Sequence, residues 1–90
     1  MKNKRELTPS EYKEKVVSWL RTARHRGATH VIIAFDQTKQ NPFPVYVGND
    51  MSIQQKIKSF NDNNFVRAIE VYNMKMDVDL QILQGRAWNV

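Results

Sequence analysis

The sequence predicts a single α+β domain over residues 1–90, with the element order α-β-β-α-β-α. Three observations lead to this prediction. Helix-capping signals enclose an amphipathic segment near the N-terminus. A run rich in β-branched residues follows at 31–35, and two more short apolar runs come at 45–47 and 65–72. Ninety residues have room for only one hydrophobic core.

The first helix is predicted over residues 9–26, and we expect residues 1–6 to be disordered. Thr8 and Glu11 form a capping-box pair around Pro9, which suits the first helical position. Gly27 is placed to end the helix. The apolar side chains that recur at the spacing of one helix face are Tyr12, Val16, Trp19, Leu20 and Ala23.

Two strands joined by a polar loop come next. The uniformly apolar run 31–35 is typical of a strand that is buried on both faces, so we place it at the centre of the sheet. The loop is predicted over residues 36–44, with Asp36 as a residue that caps it. The second strand is then short, at 45–47, with Pro44 at its start on a sheet edge.

The second half of the chain predicts two helices around one strand. Ile53, Ile57 and Phe60 mark the apolar face of a second helix, for which Asp50 and Ser52 are alternative N-caps.

The third strand covers 65–72, and the period of two puts Arg67 and Glu70 on opposite faces of it. We expect Glu70 to pair with a cation on a neighbouring strand. A short helix at 77–84 ends at Gly85.

These elements predict a three-stranded antiparallel sheet of order 2-1-3 with the first two helices packed on one face. The central strand then has bulky apolar groups on its other face as well. That face needs a cover, either the C-terminal helix with Trp88 or a second copy of the chain. On this argument we predict a homodimer.

Composition and charge narrow the class of protein. Hydrophobic residues make up 41% and charged residues 26%, as in ordinary globular chains, and the absence of cysteine excludes disulfides and thiol chemistry. We expect a cytoplasmic protein without a secretory or membrane-spanning segment. The net charge of +5 arises within residues 1–27, which hold eight basic and three acidic side chains. A localised positive field of this kind favours anionic partners.

Several segments resemble a family of small uncharacterised proteins from bacteria and phages. The segments are Gly27-Ala28-Thr29-His30-Val31-Ile32, Asp36, Pro44-Val45-Tyr46-Val47, Glu70-Val71-Tyr72, Gln81 and Arg86-Ala87-Trp88. The loop after Asp36 departs from the acidic, aromatic loop of that pattern, because it reads Gln37-Thr38-Lys39-Gln40. The resemblance implies a phage or bacterial origin, with the host cytoplasm as the location if the chain is phage-encoded, and it implies no activity.

Residues for catalysis are sparse. His25 and His30 are the only histidines, and their spacing is not that of a helical metal-binding pair. We interpret His30 as a structural hydrogen-bonding residue. The sequence has no phosphate-binding glycine loop and no hydrolase motif. We therefore expect a protein that is not an enzyme and needs neither a metal nor a cofactor.

Binding of an anion is the hypothesis that the sequence favours. Arginine suits bidentate phosphate recognition, and aromatic rings can stack on bases. The candidate ligand-binding residues are Arg21, Arg24, His25, Arg26, Lys39, Tyr46, Arg86 and Trp88. The first functional hypothesis is a non-enzymatic binder that sequesters a phosphorylated ligand, either a nucleotide signal or a nucleic acid. The alternative is an interaction module or inhibitor that docks on an acidic host protein surface.

Overall fold

The computed structural model describes residues 8–49, 52–84 and 88, and its six elements follow the predicted order. They are α1 (Pro9–Arg26), β1 (His30–Asp36), β2 (Asn41–Val47), α2 (Ile53–Asn61), β3 (Val66–Asn73) and α3 (Val78–Gln84). Residues 1–6, the cap candidate Asp50, the helix stop Gly85 and the binding candidate Arg86 lie outside the described residues. No helix in the described part of the chain is long and apolar enough to cross a bilayer.

The three strands form one antiparallel sheet of order β2-β1-β3, as predicted. β1 pairs with β2 through Val31 opposite Tyr46, and with β3 through Val31 opposite Tyr72. Val31, Ile32, Ile33 and Ala34 of β1 are fully buried, which confirms that β1 is the central strand.

The helices lie on both faces of the sheet, so the prediction that they share one face is wrong. On one face, α1 packs through Val16, Leu20 and Ala23 against Val31 and Ile33, and α3 joins the same cluster. On the other face, α2 packs against the buried cluster around Ile32, the side chains of α2 in that contact being Ile53, Ile57 and Phe60. Both faces of β1 are therefore covered within one chain.

The ends of α1 follow from local chemistry. The Thr8 side chain accepts a hydrogen bond from the Glu11 amide at 3.1 Å, and the Thr8 amide donates to the Glu11 carboxylate at 2.9 Å. This reciprocal capping box satisfies two amides that the first helical turn leaves without partners. At the other end, Gly27 adopts φ 72° and ψ 28°, and its amide bonds the carbonyls of Ala23 and Arg24. Glycine reaches this left-handed conformation without the Cβ strain of other residues.

The connection between β1 and β2 is shorter than predicted. β2 begins at Asn41, four residues before the predicted start, and the turn comprises residues 37–40. Asp36 caps this turn as expected, because its carboxylate accepts from the amides of Thr38 and Lys39 at 2.9 and 3.1 Å. Pro42 and Pro44 both lie within β2, which is tolerated because β2 is an edge strand.

The pairing of β1 with β3 contains a β-bulge. Ile33 lies opposite Glu70 and Ala34 lies opposite Ala68, so Ile69 is the extra residue. Phe35 and Ile33 share a face of β1, and their partners Arg67 and Glu70 therefore share a face of β3. The prediction that Arg67 and Glu70 lie on opposite faces is wrong, because the bulge breaks the period of two between them.

The remaining helices begin at caps. Ser52, one of the two predicted N-caps, caps α2, since its hydroxyl accepts from the Gln55 amide. In α3 the side chain of Asp77 accepts from the Leu80 amide. The short α3 is attached to the sheet by Gln81, a buried side chain that reaches the backbone of β3.

Candidate functional site

The C-terminal end of α1 concentrates positive charge at the surface. Arg24, His25 and Arg26 form the last turn, with Arg21 one turn earlier, and all four side chains are exposed. We refer to these four residues as the basic helix end. Cations at a helix C-terminus are stabilised by the partial negative charge of the unpaired carbonyls there, so the position is electrostatically favourable.

The basic helix end has no acidic partner within the described residues. The described residues contain an ion pair between Lys58 and Asp62, at 3.3 Å, but both residues belong to α2 and neither is part of the basic helix end. The guanidinium groups of Arg21, Arg24 and Arg26 thus keep their charge and donors for a partner from outside.

Arg26 contacts an aromatic ring that was predicted to bind bases. Its guanidinium carbon lies 4.6 Å from the centre of the Tyr46 ring, within the range of a cation–π interaction. Tyr46 is half-buried on β2 and packs against the core cluster under α1. The structure brings these two predicted residues together, and it uses the ring face of Tyr46 to hold Arg26.

Arg21 and Arg24 border a cleft between α1 and α3. The cleft has a volume of about 180 Å³, and Asp79 of α3 shares its rim. Its floor is apolar, formed by Val17, Leu20, Val78 and Ile82. An anion in this cleft would meet two guanidinium groups together with one carboxylate.

The other predicted residues do not join this site. Lys39 lies in the β1–β2 turn, at the opposite end of β1 from Gly27, and a strand of this length separates its ends by roughly 20 Å. Trp88 forms a parallel bridge with Val71, on the edge of β3 that is remote from β2 and Tyr46. Arg86 lies outside the described residues. The structure therefore separates the predicted binding residues. Those that stay near one another are the basic helix end and Tyr46.

His30 makes a side-chain hydrogen bond with its neighbour Thr29. Its Nδ1 lies 3.0 Å from the Thr29 hydroxyl, whereas its Nε2 is buried without a hydrogen-bond partner among the described residues. Burial, with a contribution from the charge of Lys75, lowers the pKa of His30 below its ordinary value. His30 is therefore held neutral at physiological pH.

Two buried polar residues were not predicted as parts of any site. Glu70 is only 8% exposed and accepts a hydrogen bond from the Tyr72 hydroxyl at 2.8 Å, rather than pairing with a cation on a neighbouring strand. Gln81 is 2% exposed and bonds both backbone groups of Asn73. The sequence does show that Glu70 is a single carboxylate inside the apolar run 65–72. The face of β3 on which Glu70 lies depends on the β-bulge, and no sequence pattern predicts that bulge.

No protein family, curated protein or solved structure matches this chain in the comparisons with known proteins. The resemblance to the uncharacterised bacterial and phage family is therefore not supported by a family match.

Proposed function

We propose that this chain binds the phosphate groups of a nucleic acid through the basic helix end, without catalysing a reaction on it. One observation carries the proposal. Arg21, Arg24, His25 and Arg26 are all exposed within the last two turns of α1, and no carboxylate in the described residues forms an ion pair with them. Guanidinium groups bind phosphate oxygens in a bidentate geometry, which makes arginine the best-suited side chain for this contact.

The shape of the surface favours an extended polyanion over a small nucleotide. Sites that enclose small molecules usually have volumes of about 300–1,000 Å³. The cleft beside Arg21 and Arg24 has about 180 Å³, and Asp79 would repel an anion held inside it. A phosphate backbone can instead lie across the open surface and contact several arginines in succession.

The Arg26–Tyr46 contact favours binding that does not depend on base sequence. The guanidinium already covers the Tyr46 ring, so a base could stack there only by displacing it. Contacts to phosphate alone carry no sequence information. The expected activity is therefore weak, salt-sensitive association with single- or double-stranded nucleic acid.

Fluorescence anisotropy with labelled single-stranded and duplex DNA tests this proposal. Three phosphate contacts from the arginines predict a slope of about −2.7 in a plot of log affinity against log salt for the duplex. The triple variant Arg21→Gln, Arg24→Gln, Arg26→Gln should lose binding. It should be less stable by about 0.3–1 kcal/mol for each charge removed from the helix end, and circular dichroism checks that it remains folded.

A matched control removes the same charge elsewhere. Lys15→Gln, Lys58→Gln and Arg67→Gln are exposed positions away from the basic helix end, and this triple variant should keep most of the affinity. Equal losses in the two triple variants would show that only net charge matters and would overturn the proposed site.

Docking on an acidic protein surface is the alternative that the same arginines allow. Polyglutamate serves as the probe for this alternative in the same assay. Tighter binding of polyglutamate than of DNA at equal salt would favour a protein partner and count against the nucleic-acid proposal. Binding of free nucleotides at the affinity of the oligonucleotides would likewise count against an extended ligand.

A further inference from the structure

A second cavity lies on the α1 side of the sheet, away from the basic helix end. It has a volume of about 320 Å³ and is bounded by the N-terminal half of α1, by α3 and by β3. This volume falls within the usual range for small-molecule sites. The described residues that line it are Pro9, Tyr12, Lys13, Val16, Glu70, Tyr72, Ile82 and Leu83.

Glu70 is the acidic residue among the described residues that line this cavity. Glu70 is 8% exposed, and its one hydrogen bond within the described residues comes from the Tyr72 hydroxyl at 2.8 Å. No cationic side chain in the described part of the chain forms an ion pair with it. Taking a carboxylate out of water costs several kcal/mol unless a partner compensates, so a buried carboxylate with so little compensation is unusual in a structural role.

The Tyr72 hydroxyl is held as a donor to this carboxylate. Burial, the hydrogen bond to Glu70 and the charge of Glu70 all raise the pKa of Tyr72 above its ordinary value. Tyr72 therefore keeps its proton at any physiological pH and continues to orient one oxygen of Glu70.

The β-bulge directs Glu70 into the cavity. Because Ile69 is the extra residue, Ala68 faces α2 while Glu70 lies on the α1 side, although the two residues are two positions apart. An uninterrupted strand would put both side chains on the same face. Bulges are frequent beside functional sites, where they change the direction of a side chain.

We propose that this cavity binds a small ligand that carries an ammonium group, with the ammonium beside Glu70. A carboxylate next to tyrosine rings complements a cation twice, by charge and by the negative faces of the rings. Tyr12 and Tyr72 supply those rings, and both line the cavity with Glu70.

Lys13 narrows the class of ligand. It is exposed and lines the same cavity, so it places a positive charge at the mouth while Glu70 places a negative charge within. A ligand with an anionic group a few bonds from its ammonium, such as an amino acid, meets both charges, whereas a simple alkylamine meets only one. The cavity is independent of the basic helix end, and this proposal does not rest on nucleic-acid binding.

Isothermal titration and NMR chemical-shift mapping with three related probes test the proposal. The probes are butylamine, 4-aminobutyrate and butyrate, with the standard amino acids added as a panel. We expect amino acids or 4-aminobutyrate to bind more tightly than butylamine, and we expect no binding of butyrate. Shifts should centre on the residues that line the cavity. Binding of butyrate, or binding of no ammonium compound at all, overturns the proposal.

Glu70→Gln is the decisive variant, because glutamine keeps the shape and the acceptor for Tyr72 but lacks the charge. It should weaken binding by more than about tenfold. Glu14→Gln, an exposed change of the same charge, serves as the control and should bind as the wild type does.

A second variant keeps the proposal testable if Glu70→Gln fails to fold. Leu83→Trp enlarges a largely exposed side chain at the cavity, so it should block entry while Glu70 stays in place. Unchanged affinity in either folded variant contradicts the site. Neither substitution should change DNA binding, which separates this test from that of the basic helix end.

Discussion

Individual buried polar residues hold the outer parts of this fold to the sheet. Gln81 is the clearest case: its Oε1 accepts from the Asn73 amide at 2.8 Å, and its Nε2 donates to the Asn73 and Asp77 carbonyls at 2.9 and 3.2 Å. One amide side chain thus satisfies both backbone groups of the last residue of β3 and fixes α3 beside it.

Replacing Gln81 by Ala should lower the free energy of unfolding by about 2–3 kcal/mol, because the half-buried backbone groups of Asn73 lose their hydrogen-bond partners. Gln84→Ala, at an exposed position of the same helix, should change it by less than about 0.5 kcal/mol. Urea unfolding followed by circular dichroism measures both variants. Equal stability of the two would show that the Gln81 hydrogen bonds contribute nothing net.

His30 predicts a pH dependence of stability. Its pKa is lowered in the folded chain by burial and by Lys75, so the unfolded chain binds the proton more readily. This contribution to stability is complete above the ordinary histidine pKa of about 6.5 and is lost as pH falls through the lower folded value. The midpoint of urea unfolding should therefore decrease as the pH is lowered below that ordinary value.

Substitution identifies the histidine responsible. His30→Gln should flatten this pH dependence, while His25→Gln, at an exposed position on α1, should retain it. Lys75→Gln should weaken the dependence, since it removes the second cause of the lowered pKa. If His25→Gln loses the pH dependence instead, His25 is the histidine responsible and the prediction for His30 is wrong.

At the scale of the elements, the helices are set by their ends and by the faces they bury. α1 has a complete capping box at Thr8 and a left-handed cap at Gly27, and its stripe of Val16, Leu20 and Ala23 is buried. α2 has no fully buried residue, yet its Ile53, Ile57 and Phe60 cover the second face of the sheet. Local signals place each helix along the chain, whereas the packing partner decides its face.

The two caps of α1 should contribute independently. Thr8→Ala should destabilise by about 1 kcal/mol through loss of the cap. Gly27→Ala should cost about 1–2 kcal/mol from left-handed strain alone, because a Cβ at Gly27 meets no atom within 4 Å. Gly27→Asn should cost less than Gly27→Ala, since asparagine tolerates that conformation.

Thermal unfolding of the single variants and of the double variant Thr8→Ala, Gly27→Ala tests this prediction. The sites are an entire helix apart, so their effects should add. Ser10→Ala, at an exposed position within α1, is the control. A Gly27→Asn variant less stable than Gly27→Ala would argue against strain as the cause.

At the scale of the whole molecule, the sheet is covered on both faces by the chain's own helices. The sheet therefore gives no reason for a second copy, although the homodimer stays a prediction. Exposed apolar surface favours association. The large apolar side chains that remain exposed are Phe65, Met76, Leu80, Leu83 and Trp88.

Light scattering at micromolar concentration measures the oligomeric state directly. A homodimer gives twice the chain mass of 10.6 kDa. A stable mass of one chain contradicts the homodimer prediction. If a dimer is found, Leu80→Lys should shift it towards the monomer, because it puts a charge on the exposed apolar surface of α3. A dimer unaffected by this change would place the association elsewhere.

The sequence by itself determined the order of elements, the bounds and caps of α1, the central position of β1 and the turn-capping role of Asp36. Each of these depends on signals within a few residues, such as a capping box, a left-handed glycine or an uninterrupted apolar run. Tertiary structure alone decided that α2 lies opposite α1, that β2 includes Pro42, and that Glu70 turns into a cavity between α1 and α3. These features depend on pairing and packing between segments far apart in the chain: the bulge at Ile69 arises from the register of β3 on β1, and no local pattern encodes that register.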